Sequence, residues 1–112
     1  MIRVTVLVDS EQHYAGIQML GHAGLSDDHQ EGQELVCAAV SALTFNMTNS
    51  VEQFTEDSFE VDQEEKSGAF HFRFTSNISS GSQLLMNSLV LGLQDIEEEY
   101  GEPYIKIRFK EV

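Results

Sequence analysis

Two side chains in this sequence could form and break a covalent bond with a substrate: Cys37, the sole cysteine, and His22 upstream in Gly21-His22-Ala23-Gly24. A single thiol has no partner for an internal disulfide. Its chemistry is therefore burial, metal ligation or nucleophilic attack. Cys37 stands in Leu35-Val36-Cys37-Ala38-Ala39-Val40-Ser41, where two alanines leave room for another backbone to approach. A Cys-His pair acts as a peptide hydrolase when the imidazole takes the thiol proton and the sulfur attacks a carbonyl carbon. The protonated imidazole then delivers its proton to the departing amine. Backbone N–H groups at the Gly32 to Cys37 junction are the expected donors to the oxyanion.

Two other readings of the same residues stay open at this point. Cys37 between Val36 and Ala38 fits a small buried hydrophobe. A metal site from His22, Asp27, His29 and Cys37 is conceivable, but no CxxC or HxxxH spacing supports it, and no metal or cofactor is expected. His13, His29 and His71 read as turn, loop and strand-surface histidines.

The elements that must position the pair follow from periodicity. Ile2, Val4, Val6 and Val8 alternate with Arg3, Thr5 and Leu7, predicting a strand with one strongly buried face. A polar turn at 9–12 leads into a second strand over Tyr14 to Gly21, with Ile17 and Met19 inward. The segment Ala23 to Gln33 lacks periodicity and reads as a loop. Val36, Val40, Leu43, Met47, Val51 and Phe54 then recur at helical spacing, predicting an amphipathic helix from Gln33 to Phe54. Glu34, Cys37 and Ser41, three and four apart, share one of its faces. Glu34 could orient His22 or favour the helix start electrostatically, and Ser41 could bond near the sulfur or back to the helix.

Phe59 and Val61 open a second hairpin that returns through Phe70, Phe72 and Phe74, read as core. Ser80-Gly81-Ser82-Gln83 has the form of a capping box, and Leu85, Leu89, Leu93, Ile96 and Tyr100 form the stripe of a second helix. Gly101 and Pro103 stop that helix. A last strand carries Ile105, Ile107 and Phe109. The order β-β-α-β-β-α-β predicts an α+β domain over residues 1–112, with two helices packed on a mostly antiparallel sheet.

Six basic against 19 acidic side chains give a net charge of −13 over 112 residues. This balance argues against direct nucleic-acid binding and favours a basic polypeptide partner. No run of about 18 apolar residues is present, so no membrane span is expected. One cysteine and no signal-peptide pattern point to a cytoplasmic location. A non-catalytic acidic adaptor docking on a basic protein is the rival to a hydrolase.

The paired blocks Gly21-His22-Ala23-Gly24 and Val36-Cys37-Ala38-Ala39-Val40-Ser41-Ala42-Leu43, with Gly32 between them, resemble the Prp family of ribosomal-processing cysteine proteases. The likeness continues through Ile2-Arg3-Val4-Thr5-Val6 and through Gln83-Leu84-Leu85 to Leu93. It implies a cysteine endopeptidase that removes a short N-terminal extension from large-subunit ribosomal protein twenty-seven, after a phenylalanine-containing apolar motif. It implies His22 as base, Cys37 as nucleophile, Gly21 and Ser41 as family features, and a homodimer. Glu34 stands where relatives carry aspartate, so any orienting contact is made from a different reach. The loop 25–31 is longer than the tight version of the family. Leu20 and Leu25 are the expected walls of an apolar groove.

Overall fold

The computed structural model describes residues 1–21 and 32–112. Seven elements follow in the expected order: β1 (Ile2–Val8), β2 (Tyr14–Leu20), α1 (Gln33–Phe54), β3 (Phe59–Glu64), β4 (Ala69–Phe74), α2 (Ser80–Tyr100) and β5 (Ile105–Glu111). The strands form one sheet in the order β3-β4-β2-β1-β5. All neighbours are antiparallel except β1 and β5, which run parallel. The chain is thus α+β, with a mixed sheet.

Period-two alternation sets which face the helices cover. Val4 pairs with Met19 and Val6 with Ile17. Ile17 and Met19 in turn pair with Phe72 and Phe70. These residues join Val36, Val40, Met47, Val51, Met86, Leu89, Val90 and Leu93 of the helices in one buried cluster. Paired residues point to the same side of a sheet, so both helices lie on one face and the other carries neither.

Several expectations shift in detail. Thr5 and Leu7 are buried although they point away from the helices. β1 is an interior strand, and long neighbours close over it: Arg108 Nε donates to Thr5 Oγ1 at 3.0 Å. On α1, Phe54 is 80% exposed, whereas Thr44 is buried. The helix outruns the core at its end, and the Thr44 hydroxyl is satisfied by the Val40 carbonyl oxygen at 2.7 Å. On α2, Met86 and Val90 are buried while Leu85, Ile96 and Tyr100 are only partly so. The helix leans on both α1 and β5, which rotates its covered stripe.

The cap of α2 is Ser79, one residue before the expected Ser80. Its hydroxyl accepts from the Ser82 N–H at 3.3 Å. Gln83 Nε2 donates instead to the Ile78 carbonyl oxygen at 3.0 Å, so no reciprocal box forms. Asp57 selects this register: its Oδ2 accepts from the Ser79 N–H at 3.0 Å and from the Ser79 hydroxyl at 2.6 Å. The Ser82 hydroxyl donates to the same oxygen.

Candidate active site

β2 ends at Leu20, one residue earlier than expected, because Gly21 turns the chain with φ +89°. A Cβ there would lie 2.4 Å from the Met1 carbonyl oxygen, so only glycine fits. The Gly21 N–H donates to the Ser67 carbonyl oxygen in the β3–β4 turn at 3.0 Å. His22, the next residue, lies outside the described residues, as do Ala23 to Glu31. The proposed base, the loop wall Leu25 and the conceivable metal ligands Asp27 and His29 therefore receive no structural account.

Gly32 is the N-cap of α1, with φ +92°. This left-handed turn aims the chain into the helix. The Val36 N–H donates to the Gly32 carbonyl oxygen at 2.9 Å. Val36 is thus already engaged and is no donor to an oxyanion, which corrects the broad expectation for the Gly32 to Cys37 junction. Cys37 follows one turn into the helix.

Cys37 is half-buried and lines a cavity of about 300 Å³ between the start of α1 and one end of the sheet. The same cavity is lined by Gly21 and by Ser41, one turn beyond Cys37 on α1. The sulfur-bearing residue is therefore neither sealed in the core nor isolated from the segment that delivers His22. Val40, Thr44 and Phe45 continue the helix wall, and Ile2, Met19 and Phe70 form the sheet wall. The rim of Gln63, Glu64 and Glu65 is polar. The Phe45 ring meets that of Phe70 edge-on, with centroids 6.2 Å apart. An apolar side chain of a peptide would find contact here, beside a thiol.

Gly21, Cys37 and Ser41 thus meet at one cavity. Glu34 is exposed on the first turn of α1 and is not among the lining residues. Gly32 acts as a cap and approaches Tyr104, not the cavity. Leu20 is corrected outright: it is 55% exposed and lines a separate cavity on the helix-free face with Arg3 and His71. Its strand parity turns it away from Met19, which does line the site.

Phe45, Thr44, Met19 and Phe70 were not anticipated. Phe45 was within reach, since 37, 41 and 45 are successive four-residue steps along one helix face. Phe70 was not, because its place depends on β4 pairing with β2, a contact between distant segments.

Comparison with known proteins agrees with this geometry. The family model described as "Cysteine protease Prp" matches residues 1–106. The Ribosomal processing cysteine protease Prp of Staphylococcus aureus is 33% identical over 111 residues, spanning 98% of this chain and all of that one. The crystal structure of the essential ribosomal processing protease Prp from S. aureus with a substrate peptide superposes with a TM-score of 0.87 at 30% identity, covering 98% of this chain and 100% of that one. A second structure of that enzyme, with a covalently linked product peptide, gives 0.85 at 32% identity and the same coverage. With its single cysteine half-buried in the wall of a largely apolar cavity and a family match over nearly its whole length, the chain belongs to the cysteine protease Prp family and is a cysteine protease.

Proposed function

We propose that this protease removes the N-terminal extension of large-subunit ribosomal protein twenty-seven, with Cys37 as nucleophile and His22 as general base and acid. The observation that carries the reading is the shared cavity of Cys37 and Gly21, because Gly21 is covalently joined to His22. The relatives' description as ribosomal processing proteases supports the substrate class.

In this reaction the Cys37 sulfur bonds to the carbonyl carbon of the scissile peptide as its proton passes to His22. Collapse of the tetrahedral intermediate breaks the C–N bond, and His22 returns the proton to the departing amine. Water then attacks the thioester with His22 as base, releasing the carboxylate product and restoring the thiol. The cut follows an apolar, phenylalanine-containing motif, and the wall of Met19, Phe45 and Phe70 offers such a motif apolar contact. Ser41 adds a hydroxyl to the cavity lining one helical turn beyond Cys37, and Gly21 and Gly32 fix the two ends of the segment bearing His22. Glu34 acts from the first turn of the helix, through charge. The −13 chain attracts a basic ribosomal protein and speeds the encounter at low salt.

The same reading places the enzyme in the cytoplasm as an assembly of two copies, with no nucleic acid, membrane or cofactor in the reaction. Among the described residues no helix is long and apolar enough to cross a membrane. The test incubates the protein with a peptide carrying a phenylalanine-containing apolar extension and with its scrambled counterpart. One cut after the apolar motif, and none in the scrambled peptide, is expected. Equal cleavage of both peptides, or of neither, overturns the substrate assignment.

A further inference from the structure

α2 buries one stripe against α1 and the sheet and turns another outward: Leu84, Ser88, Leu91, Asp95 and Glu98, alternately four and three residues apart. Leu84 is 70% exposed and Leu91 61%. The stripe therefore begins apolar and ends in carboxylates, with Glu99 beside the last of them. Negative charge is disfavoured at that end. The final turns of a helix already carry partial negative charge, and Asp95 repels Glu98 and Glu99 three and four residues on. Neither α1 nor α2 contains a Lys or Arg to offset it. Among the described residues Asp95, Glu98 and Glu99 enter no ion pair, whereas Glu97 is engaged by the Ile107 N–H.

This anionic end lies at the same end of the molecule as Cys37. Gly32, which caps α1, approaches the Tyr104 ring. Tyr100, in the last turn of α2, meets that ring edge-on with centroids 6.2 Å apart. The two helices therefore run antiparallel. They touch where a Cβ added to Gly92 would stand 2.9 Å from the Leu43 side chain. Six residues back along α1 and six forward along α2 bring Cys37 level with Glu98. At about 100° per residue, Cys37, Ser41 and Phe45 lie on the cavity side of α1 and Leu43 on the α2 side. Ala38 and Ala42 form the exposed crest between them, so a peptide crossing there meets methyl groups.

From this placement we infer that the outward face of α2 docks the basic stretch of the substrate that follows the scissile bond. The inference rests on the substrate class proposed above. The apolar extension lies before the cut and has the wall of Met19, Phe45 and Phe70 to occupy. What is left to run over α1 is the body of a ribosomal protein, and a protein that neutralises RNA phosphates is rich in Lys and Arg. The path from the cavity over α1 to the outward face of α2 is about 20 Å, or two helix widths. About six residues of extended chain cover it.

Lys or Arg side chains roughly four to eight residues past the cut thus reach Asp95, Glu98 and Glu99. Apolar side chains farther on reach Leu91 and then Leu84. The opposite side of the molecule offers no such welcome. Arg3, Arg73, Lys106, Arg108 and Lys110, five of the chain's six Lys and Arg residues, stand on the helix-free face and repel a basic segment. One exposed ion pair on α2 contributes little, but three in a row beside an apolar patch discriminate between substrates that share the same cleavage motif.

The test uses the full chain and two peptides that are identical through the apolar motif and the cut. One continues with Lys at about the fourth, sixth and eighth positions beyond the cut, the other with Gln there. The readout is the ratio of their kcat/KM values, so any effect common to both peptides cancels. The parent is expected to prefer the Lys peptide by about tenfold at low ionic strength, and less in about 0.5 M salt. Asp95→Asn, Glu98→Gln and Glu99→Gln together bring the ratio to within about twofold of one. Glu52→Gln, Glu56→Gln and Glu111→Gln remove the same charge elsewhere and keep the preference. If the α2 triple variant fails to fold by circular dichroism, the single exchange Glu98→Lys replaces it. A preference that survives the α2 exchange overturns the inference, and so does one that falls equally in both variants, which assigns it to net charge alone. Fluorescence anisotropy of the Lys segment by itself, with no scissile bond, separates docking from proteolysis. The parent should bind it about tenfold more tightly than the α2 variant does. A parent that shows this difference but cuts neither peptide sinks the proteolytic reading and keeps the face; one that cuts both peptides equally and shows no difference sinks the face alone.

Discussion

The Gly21 N–H bonds the Ser67 carbonyl oxygen across 3.0 Å, locking the residue before His22 to the turn that leads into β4. The bond ties the exit of β2 to the rim of the Cys37 cavity, so the chain leaves the sheet from a fixed point. Gly21→Ala must relax a Cβ placed 2.4 Å from the Met1 carbonyl oxygen in a backbone with φ +89°. The variant is expected to lose about 1–3 kcal/mol of stability by urea titration. Its kcat/KM should fall further than that of a core variant of equal stability, because His22 is displaced.

Cys37 lines an open cavity and is therefore expected to react with iodoacetamide in the native protein. His22→Ala should slow this alkylation at neutral pH, and unfolding should equalise the two rates. Mass spectrometry of peptides over time checks both points. A thiol that is inert until denaturation contradicts the site as described.

Phe45 is 41% exposed and meets Phe70 edge-on at the cavity wall. Phe45→Ala removes apolar contact from the site and little from the core. Stability should fall by only about 0.5–1.5 kcal/mol. KM for a phenylalanine-containing peptide should rise by about tenfold, with kcat less affected. A change confined to kcat would assign Phe45 a different role.

Asp57 holds its carboxylate below the ordinary value of 3.8, chiefly through the hydroxyls of Ser79 and then Ser82, with the Ser79 N–H adding to them. A lowered folded-state value stabilises the fold at pH above the unfolded value, and that stability is lost as pH falls through the folded one. Wild-type stability should therefore decline from about pH 4 downward, and Asp57→Asn should flatten that decline. At neutral pH the substitution should cost about 1 kcal/mol, reduced by the solvent around the group. Urea titrations at pH 7 and pH 3 measure both effects.

Elements governed by local pattern were legible in the sequence. The α1 limits, Gln33 and Phe54, followed from apolar spacing, both hairpins from alternation across polar turns, and the stop at Gly101 from the glycine and the proline after it. Details governed by distant contacts were not. The Ser79 cap depends on Asp57, 22 residues earlier in the chain. Leu20 reads as a groove wall because it lies two residues before His22, but strand parity sends it to the opposite face. The cavity walls drew on β4, whose position beside β2 no local period reveals. Cys37 and Ser41 were legible because they share a helix face.

The most direct measurement compares peptide cleavage by the parent and by Cys37→Ala at equal concentration, with circular dichroism confirming the same fold. The account predicts that the variant gives no product above the uncatalysed background. Product formed at the parent rate would remove Cys37 from the reaction and contradict the account at its centre.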